Sequence, residues 1–392
     1  MRVLVLPPPA AATHLMAMVP LSWALRAMGH DVLVAGTPDL AATAASAGLG
    51  FAEVGSSAEF DRAFDEIPTE DMFPAPEWML PEFADQKRLQ IHNQADMQAA
   101  YTRGFLGDYR ELADRWRPDL LLADLTLLLA RVLGGVTGIP VVAHRWGVDP
   151  TGAVFEDRAR EQLAPLCGSR GLPGFPVPSL LVDPCPPSLQ WEGAPPGQPM
   201  RYLPSNGVGV YPLWTRELRA GRRVCVCPGR TVLRVVGPRA MRAVAAALED
   251  LVDVEVVFAL TAEDRARVGS LPPRFRVVES LPLAMFLDTC DAFVSLGGGG
   301  SALTAAALGV PQLVLPQWFD HFDLGRRLGE AGAGISIDSK QGQADIPGIT
   351  KAVSALLEDR SFAGAAAVLK AENAASPTPA QVAELVTDVV SG

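Results

Sequence analysis

No GxxxxGK(S/T) motif occurs in the 392 residues of this chain, which leaves phosphoryl transfer on a P-loop unsupported. No GxGxxG opens the first helical segment, so a bound dinucleotide is not expected. HExxH and GxSxG are missing as well, and no Asp-x-Asp pair stands ready to hold a divalent metal on a sugar diphosphate. Any nucleotide chemistry is therefore expected to be metal-free, with no cofactor beyond the substrates. Positive charge is also scarce. Against 44 Asp and Glu there are 33 Lys and Arg, and the formal charge of −11 argues against non-specific nucleic-acid binding. A single nucleotide ligand stays open, because a glycine loop grips phosphate through backbone groups.

Cysteine is sparse. Cys167, Cys185, Cys225, Cys227 and Cys290 are odd in number and scattered, with no CxxC, so reduced core thiols of a cytosolic protein are expected rather than disulfides or zinc. Cys225 and Cys227 alternate on an apolar strand and point one way, which reads as core packing. No uninterrupted apolar run approaches the ~20 residues of a membrane span. The N-terminal MRVLVLPPPAAATHLMAMVPL is superficially signal-like, but its apolar run is short and prolines break it; a strand, a loop and a helix explain it better. A soluble, cytoplasmic protein with no membrane partner is expected.

What is present is a compact α/β pattern, 49% apolar and long enough for two domains. RVLVL (2–6) reads as a strand, followed by a helix from His14 that Gly29 stops. DVLVAG (31–36), PDLLLAD (118–124) and IPVVAHR (139–145) continue as strands alternating with helices, the signature of parallel βαβ units. A proline-rich stretch follows from 183 to 212, and the rhythm restarts at RRVCVC (222–227). The expected fold is two Rossmann-like parallel-sheet domains facing a central cleft. Residues 1–205 form the first and 222–376 the second, joined by a linker at 206–221, with a final helix at 377–392 packing back on the first. Residues 71–97 interrupt the rhythm with Trp78, Met79 and Phe83 among charges. They read either as a surface insertion of irregular helix or as an acceptor-binding wall.

The most informative stretch is SLGGGGSALTAAALGVPQLVLPQWFDHFD, residues 295–323. A strand enters four glycines and Ser301, where helix-start N–H groups and dipole favour phosphate. A second strand then ends in a polar loop at the same sheet edge, where open α/β sheets bind ligands.

This segment, with the N-terminal loop-His-helix, resembles the family 1 glycosyltransferases of antibiotic biosynthesis, which have the GT-B fold. HRWGVDPT (144–151), DPCPPSLQ (183–190) and the Met200-Arg201-Tyr202-Leu203-Pro204 turn are similar to actinomycete members that put deoxysugars on polyketides. The resemblance implies a TDP-deoxysugar in the C-terminal half and a polyketide aglycone in the N-terminal half. Gly298, Gly299, Gly300 and Ser301 match the phosphate-contacting turn. Gln317, Asp320 and His321 match the sugar-reading loop, where His321 replaces the usual glutamine. Leu281, followed by Pro282, matches the position beside the base, and Gly229, Arg230 and Thr231 match the loop after the first C-terminal strand. His14 matches the general base of inverting, metal-independent O-transfer, and Asp124 its carboxylate partner. A histidine usually precedes the glycine run; here it is Leu296.

Each assignment has a plainer alternative. His14 could cap a helix, Asp320 could be a solvated loop acid, and Arg230 a solvated charge. Trp146, after a buried strand, reads as packing or as a wall of the acceptor pocket. C-transfer to an aromatic polyketide, a GT-B epimerase and a non-catalytic auxiliary protein are the competing functions. A homodimer or an auxiliary partner is left open.

Overall fold

The computed structural model describes residues 1–58, 84–216, 221–230, 232–317 and 319–391. Two parallel sheets organise the chain. The first runs in the order β3-β2-β1-β4-β5-β6-β7, built from β1 (Arg2–Leu6), β2 (Asp31–Gly36), β3 (Gly50–Glu53), β4 (Leu120–Asp124), β5 (Val141–His144), β6 (Leu180–Asp183) and the short β7 (Gln198–Pro199). The second runs β10-β9-β8-β11-β12-β13, from β8 (Arg222–Cys227), β9 (Val254–Leu260), β10 (Arg276–Glu279), β11 (Ala292–Ser295), β12 (Gln312–Val314) and β13 (Gly334–Ser336).

The strands are short apolar runs because both faces are covered. In β1, Leu4 and Leu6 enter one core cluster while Val3 and Val5 enter the other, and β4 divides in the same way. Alternation puts successive side chains on opposite faces, so a parallel strand covered on both sides must be apolar throughout. In β8, Val224 and Val226 enter one cluster and Cys225 the opposite one, with Cys227 packed against it; all five cysteines are free thiols. That agrees with the packing reading for this pair, although Cys227 also reaches the cleft wall.

Seven helices matter for the site. They are α1 (Ala12–Ala27), α2 (Ala84–Trp116), α3 (Leu128–Thr137), α4 (Gly299–Leu308), α5 (Phe319–Glu330), α6 (Arg360–Ala375) and α7 (Pro379–Ser391). Gly29 ends α1 at φ +87°, a left-handed conformation that glycine adopts without strain. Of the stretch 71–97, read as a surface insertion of irregular helix or as a binding wall, residues 84–97 form the first turns of the long helix α2, which is regular rather than irregular. Its buried stripe was hard to read because small residues carry much of it: Ile91, Ala95, Ala99, Leu106, Tyr109 and Ala113. Trp78, Met79 and Phe83 lie outside the described residues.

The last helix, α7, returns to the first sheet. Val382, Ala383 and Val386 join the cluster of Leu15, Met18 and Leu25 from α1. Full burial of each valine contributes about 1.5–3 kcal/mol. Among the described residues no helix is long and apolar enough to cross a membrane.

Both sheets reverse strand order where their functional loops emerge. In the first, β1 lies between β2 and β4; in the second, β8 lies between β9 and β11. The carboxyl ends of β1, β4, β8 and β11 therefore flank the crevices in which such sheets bind ligands.

Candidate active site

At the first of these crevices, β1 hands over to α1 and places His14 in the first turn. Asp124 is the last residue of β4, the neighbouring strand. His14 Nδ1 and Asp124 Oδ2 are 2.8 Å apart. With the carboxylate as acceptor, Nδ1–H donates, and Nε2 keeps its lone pair for the cleft. The other carboxylate oxygen accepts from the Thr126 amide at 2.8 Å and its hydroxyl at 2.6 Å. Asp124 is 1% exposed and His14 20%, so the pair is open only on the imidazole side.

Burial is the largest influence on His14 and pulls its pKa down. The charge and hydrogen bond of Asp124, with the charge of Asp320, outweigh it and hold the imidazole above its ordinary 6.5. Burial likewise works to raise the Asp124 pKa, yet His14 and the Thr126 hydrogen bonds leave it below its usual value.

Trp146, in the loop after β5, joins this pair to the second sheet. Its ring lies over His14, with centroids 5.2 Å apart and planes 22° from parallel. Its Nε1–H donates to Asp320 Oδ2 at 3.2 Å. Asp320 and His321 lie in the first turn of α5. His321 is buried, which lowers its pKa and favours the neutral ring.

The glycine turn follows β11. Gly297 has φ +90°, and a Cβ there would come within 2.6 Å of His321 Cβ, so both conformation and space demand glycine. Helix α4 starts at Gly299 with no side-chain cap; Ser301 Oγ bonds back to Gly298 O at 2.8 Å. Gly298, Gly299, Gly300 and Ser301 all face the cleft. Leu296 sits in the core with Val294 and Leu313, away from the cleft.

Sequence reading missed two residues that brace this helix. Tyr202 Oη donates to Gly300 O at 2.8 Å, and Asn206 Nδ2 donates to Thr304 Oγ1 at 3.1 Å. Burial raises the Tyr202 pKa to about 12. Arg230 lines the cleft and donates to Asn206 O at 3.0 Å, so it is anchored rather than free. Gly229 and Leu281 line the same wall; Thr231 lies outside the described residues. Two non-glycine residues with left-handed backbone, Ala10 (φ 56°) and Ser280 (φ 54°), also line the cleft. Strain of this kind costs about 1–3 kcal/mol and concentrates at ligand sites.

Gln317, unlike Asp320 and His321, is placed outside the cleft lining. Its amide donates to Leu315 O at 3.0 Å and to Gln343 Oε1 at 2.5 Å. Just past β12, the backbone turns this side chain toward Gln343 instead of the crevice.

The cleft holds a cavity of about 700 Å³. On the first-domain side, α2 contributes Gln90, Asn93, Gln94, Met97 and Gln98. These positions are three to four apart and so share one helix face. Gln98 is 4% exposed, and the carbonyl oxygens of Gln94 and Gln98 are buried without partners. This uncharged amide face was not anticipated. His144 and Arg145 lie behind the wall, as packing predicts. Burial lowers the His144 pKa to about 4, and Arg145 is paired with Asp149 and Asp183. Among the described residues no group of three or more His, Cys, Asp or Glu is placed to hold a metal ion.

Two family models match the chain. Residues 23–229 fit the N-terminal domain of erythromycin biosynthesis protein CIII-like proteins, and residues 241–389 fit their C-terminal domain. The L-demethylnoviosyl transferase of Streptomyces niveus is 34% identical over 387 residues, 98% of this chain and 97% of its own. The 10-deoxymethynolide desosaminyltransferase of Streptomyces venezuelae is 31% identical over 94% of this chain and 93% of its own. Among solved structures, a spinosyn rhamnosyltransferase complexed with thymidine diphosphate matches with a TM-score of 0.90 at 46% identity, covering 99% of this chain and 100% of that one.

Proposed function

The chain belongs to the erythromycin biosynthesis protein CIII-like family of glycosyltransferases, with the GT-B fold, and from that membership we propose how it acts. It is an inverting, metal-independent O-glycosyltransferase that moves a deoxysugar from a TDP-sugar to a hydroxyl of a macrolide-type polyketide aglycone. One observation carries this reading: the His14–Asp124 pair opens onto the same cavity as the uncapped glycine start of α4.

The acceptor hydroxyl donates its proton to His14 Nε2 as its oxygen attacks the anomeric carbon. Asp124 orients the ring and stabilises the imidazolium that forms. The bond to the diphosphate breaks on the opposite face, so a single displacement inverts the anomeric centre. Negative charge growing on the departing diphosphate meets the first-turn N–H groups of α4, with Arg230 on the facing wall. Asp320 accepts from sugar hydroxyls, and Leu281 packs beside the base. Residues 1–205, with the returning helix at 377–392, form the acceptor half; 206–221 form the linker, and 222–376 the donor half.

The test is a mass-spectrometric screen of TDP-deoxysugars against macrolide and aromatic aglycones, run with and without a metal chelator, followed by NMR of the product. An oxygen-linked, inverted anomeric carbon formed in the presence of chelator is expected. A carbon-linked product favours the C-transferase reading, and failure to bind thymidine diphosphate in calorimetry favours the auxiliary one.

A further inference from the structure

Trp146 touches both the base and the sugar-reading carboxylate. Its ring plane lies over His14, and its Nε1–H holds one oxygen of Asp320 from the opposite domain. The loop that carries it is held by buried hydrogen bonds. Arg145, its neighbour, is fully buried and donates to Asp149 at 3.0 Å, to Asp183 at 2.7 Å and to Pro195 O at 2.5 Å. Asp149 is fixed in turn through its amide, which donates to Gln190 Oε1 at 2.8 Å. The next residue, Gly147, packs against the glycine turn, where a Cβ on it would stand 3.5 Å from Gly299 Cα.

We infer that Trp146 is a positioning residue that ties recognition of the donor sugar to placement of the base, an inference that rests on the reading of the site proposed above. Its bond to Asp320 Oδ2 aims the carboxylate so that Oδ1 faces the sugar; His321 Nε2, at 3.9 Å, is too far to claim that oxygen. Its stack on His14 sets the rotation of the imidazole, and with it the line from Nε2 to the acceptor hydroxyl. The two contacts share one rigid indole, so the sugar's anomeric carbon and the base are placed relative to each other rather than separately. Misplacement by about 1 Å costs on the order of 10²-fold in rate, which sets the scale of the effect.

The test compares Trp146→Phe, Trp146→Leu, Asp320→Ala and the double variant Trp146→Phe/Asp320→Ala in the full chain. Phenylalanine keeps the stack and loses the N–H; leucine loses both. Calorimetry with thymidine diphosphate should give affinities within about threefold of wild type, which also shows that the variants are folded. The kcat should fall about tenfold in Trp146→Phe and further in Trp146→Leu. In the Asp320→Ala background, Trp146→Phe should change kcat less than about twofold, because the partner of its N–H is already gone.

A readout independent of turnover is NMR titration of His14, which faces Asp124, Asp320 and the neutral His144. Its midpoint should fall in Trp146→Phe as Asp320 swings free. An unchanged midpoint together with additive effects on kcat overturns the inference. A wild-type chain that transfers no sugar defeats the functional reading instead, and the His14 titration then decides the positioning role by itself.

Discussion

His14 Nδ1 and Asp124 Oδ2 meet at 2.8 Å although 110 positions separate them in the chain. The contact exists because β1 and β4 are hydrogen-bonded neighbours, and both residues leave the same sheet edge. General base catalysis contributes about 10²–10⁴-fold. His14→Ala should therefore lower kcat by about that factor while thymidine diphosphate binding, measured by calorimetry, stays within a few-fold. Turnover within a few-fold of wild type would remove His14 from the base role.

Asp124→Asn keeps the size of the side chain but removes the charge that stabilises the imidazolium. The amide can also present its NH₂ to Nδ1, which favours the wrong tautomer. Turnover should fall by at least about tenfold, and the His14 titration midpoint should drop. An unchanged midpoint would mean that the pair does not act as a unit.

The pH dependence follows from the direction of the His14 shift. As the proposed base, His14 would work only when neutral, so transfer should rise with pH through a midpoint above 6.5. Stability runs the other way for this group. With its folded pKa raised, its contribution is complete below the unfolded value and fades as pH rises through the folded one. Asp124, with its pKa lowered, contributes above its unfolded value, and that contribution is lost as pH falls through the folded one. Rate–pH profiles and thermal melts over the same range separate the two effects.

Gly297→Ala should destabilise the turn by about 1–3 kcal/mol through the left-handed φ alone, with the clash against His321 adding to it. A lower melting temperature and weaker thymidine diphosphate binding should appear together, since the same turn starts α4. Normal melting with normal binding would show that the turn can relax.

Gln98→Leu removes a buried carbonyl that has no partner. Relief of that unsatisfied group should leave the protein as stable or up to about 1 kcal/mol more stable. If the amide face of α2 holds oxygen-rich acceptors, the acceptor KM should rise several-fold while the donor KM does not. A rise in donor KM alone would place Gln98 with the wrong substrate.

Much of the fold was legible because parallel strands covered on both faces must be continuous apolar runs. RVLVL, PDLLLAD and RRVCVC declare themselves in this way. The glycine turn was legible for a similar reason: Gly297 meets a backbone and packing demand that no other residue satisfies. The helix α2 was not, since alanines and amides carry much of its pattern and apolar periodicity is then faint. The direction of Gln317 was not legible, because it lies in the loop past β12, where a tertiary hydrogen bond to Gln343 rather than a local pattern sets the side chain.

By itself the sequence determined two parallel α/β sheets, a glycine helix start suited to phosphate, and the family to which the chain belongs. Those are local and periodic properties, set by residue size, backbone freedom and apolar patterning. Tertiary structure alone decided that Trp146 of one domain bonds Asp320 of the other while stacking on His14, and that Leu296 faces the core. Contacts between residues 132 and 174 positions apart depend on how two sheets are set against each other. No local pattern encodes that distance.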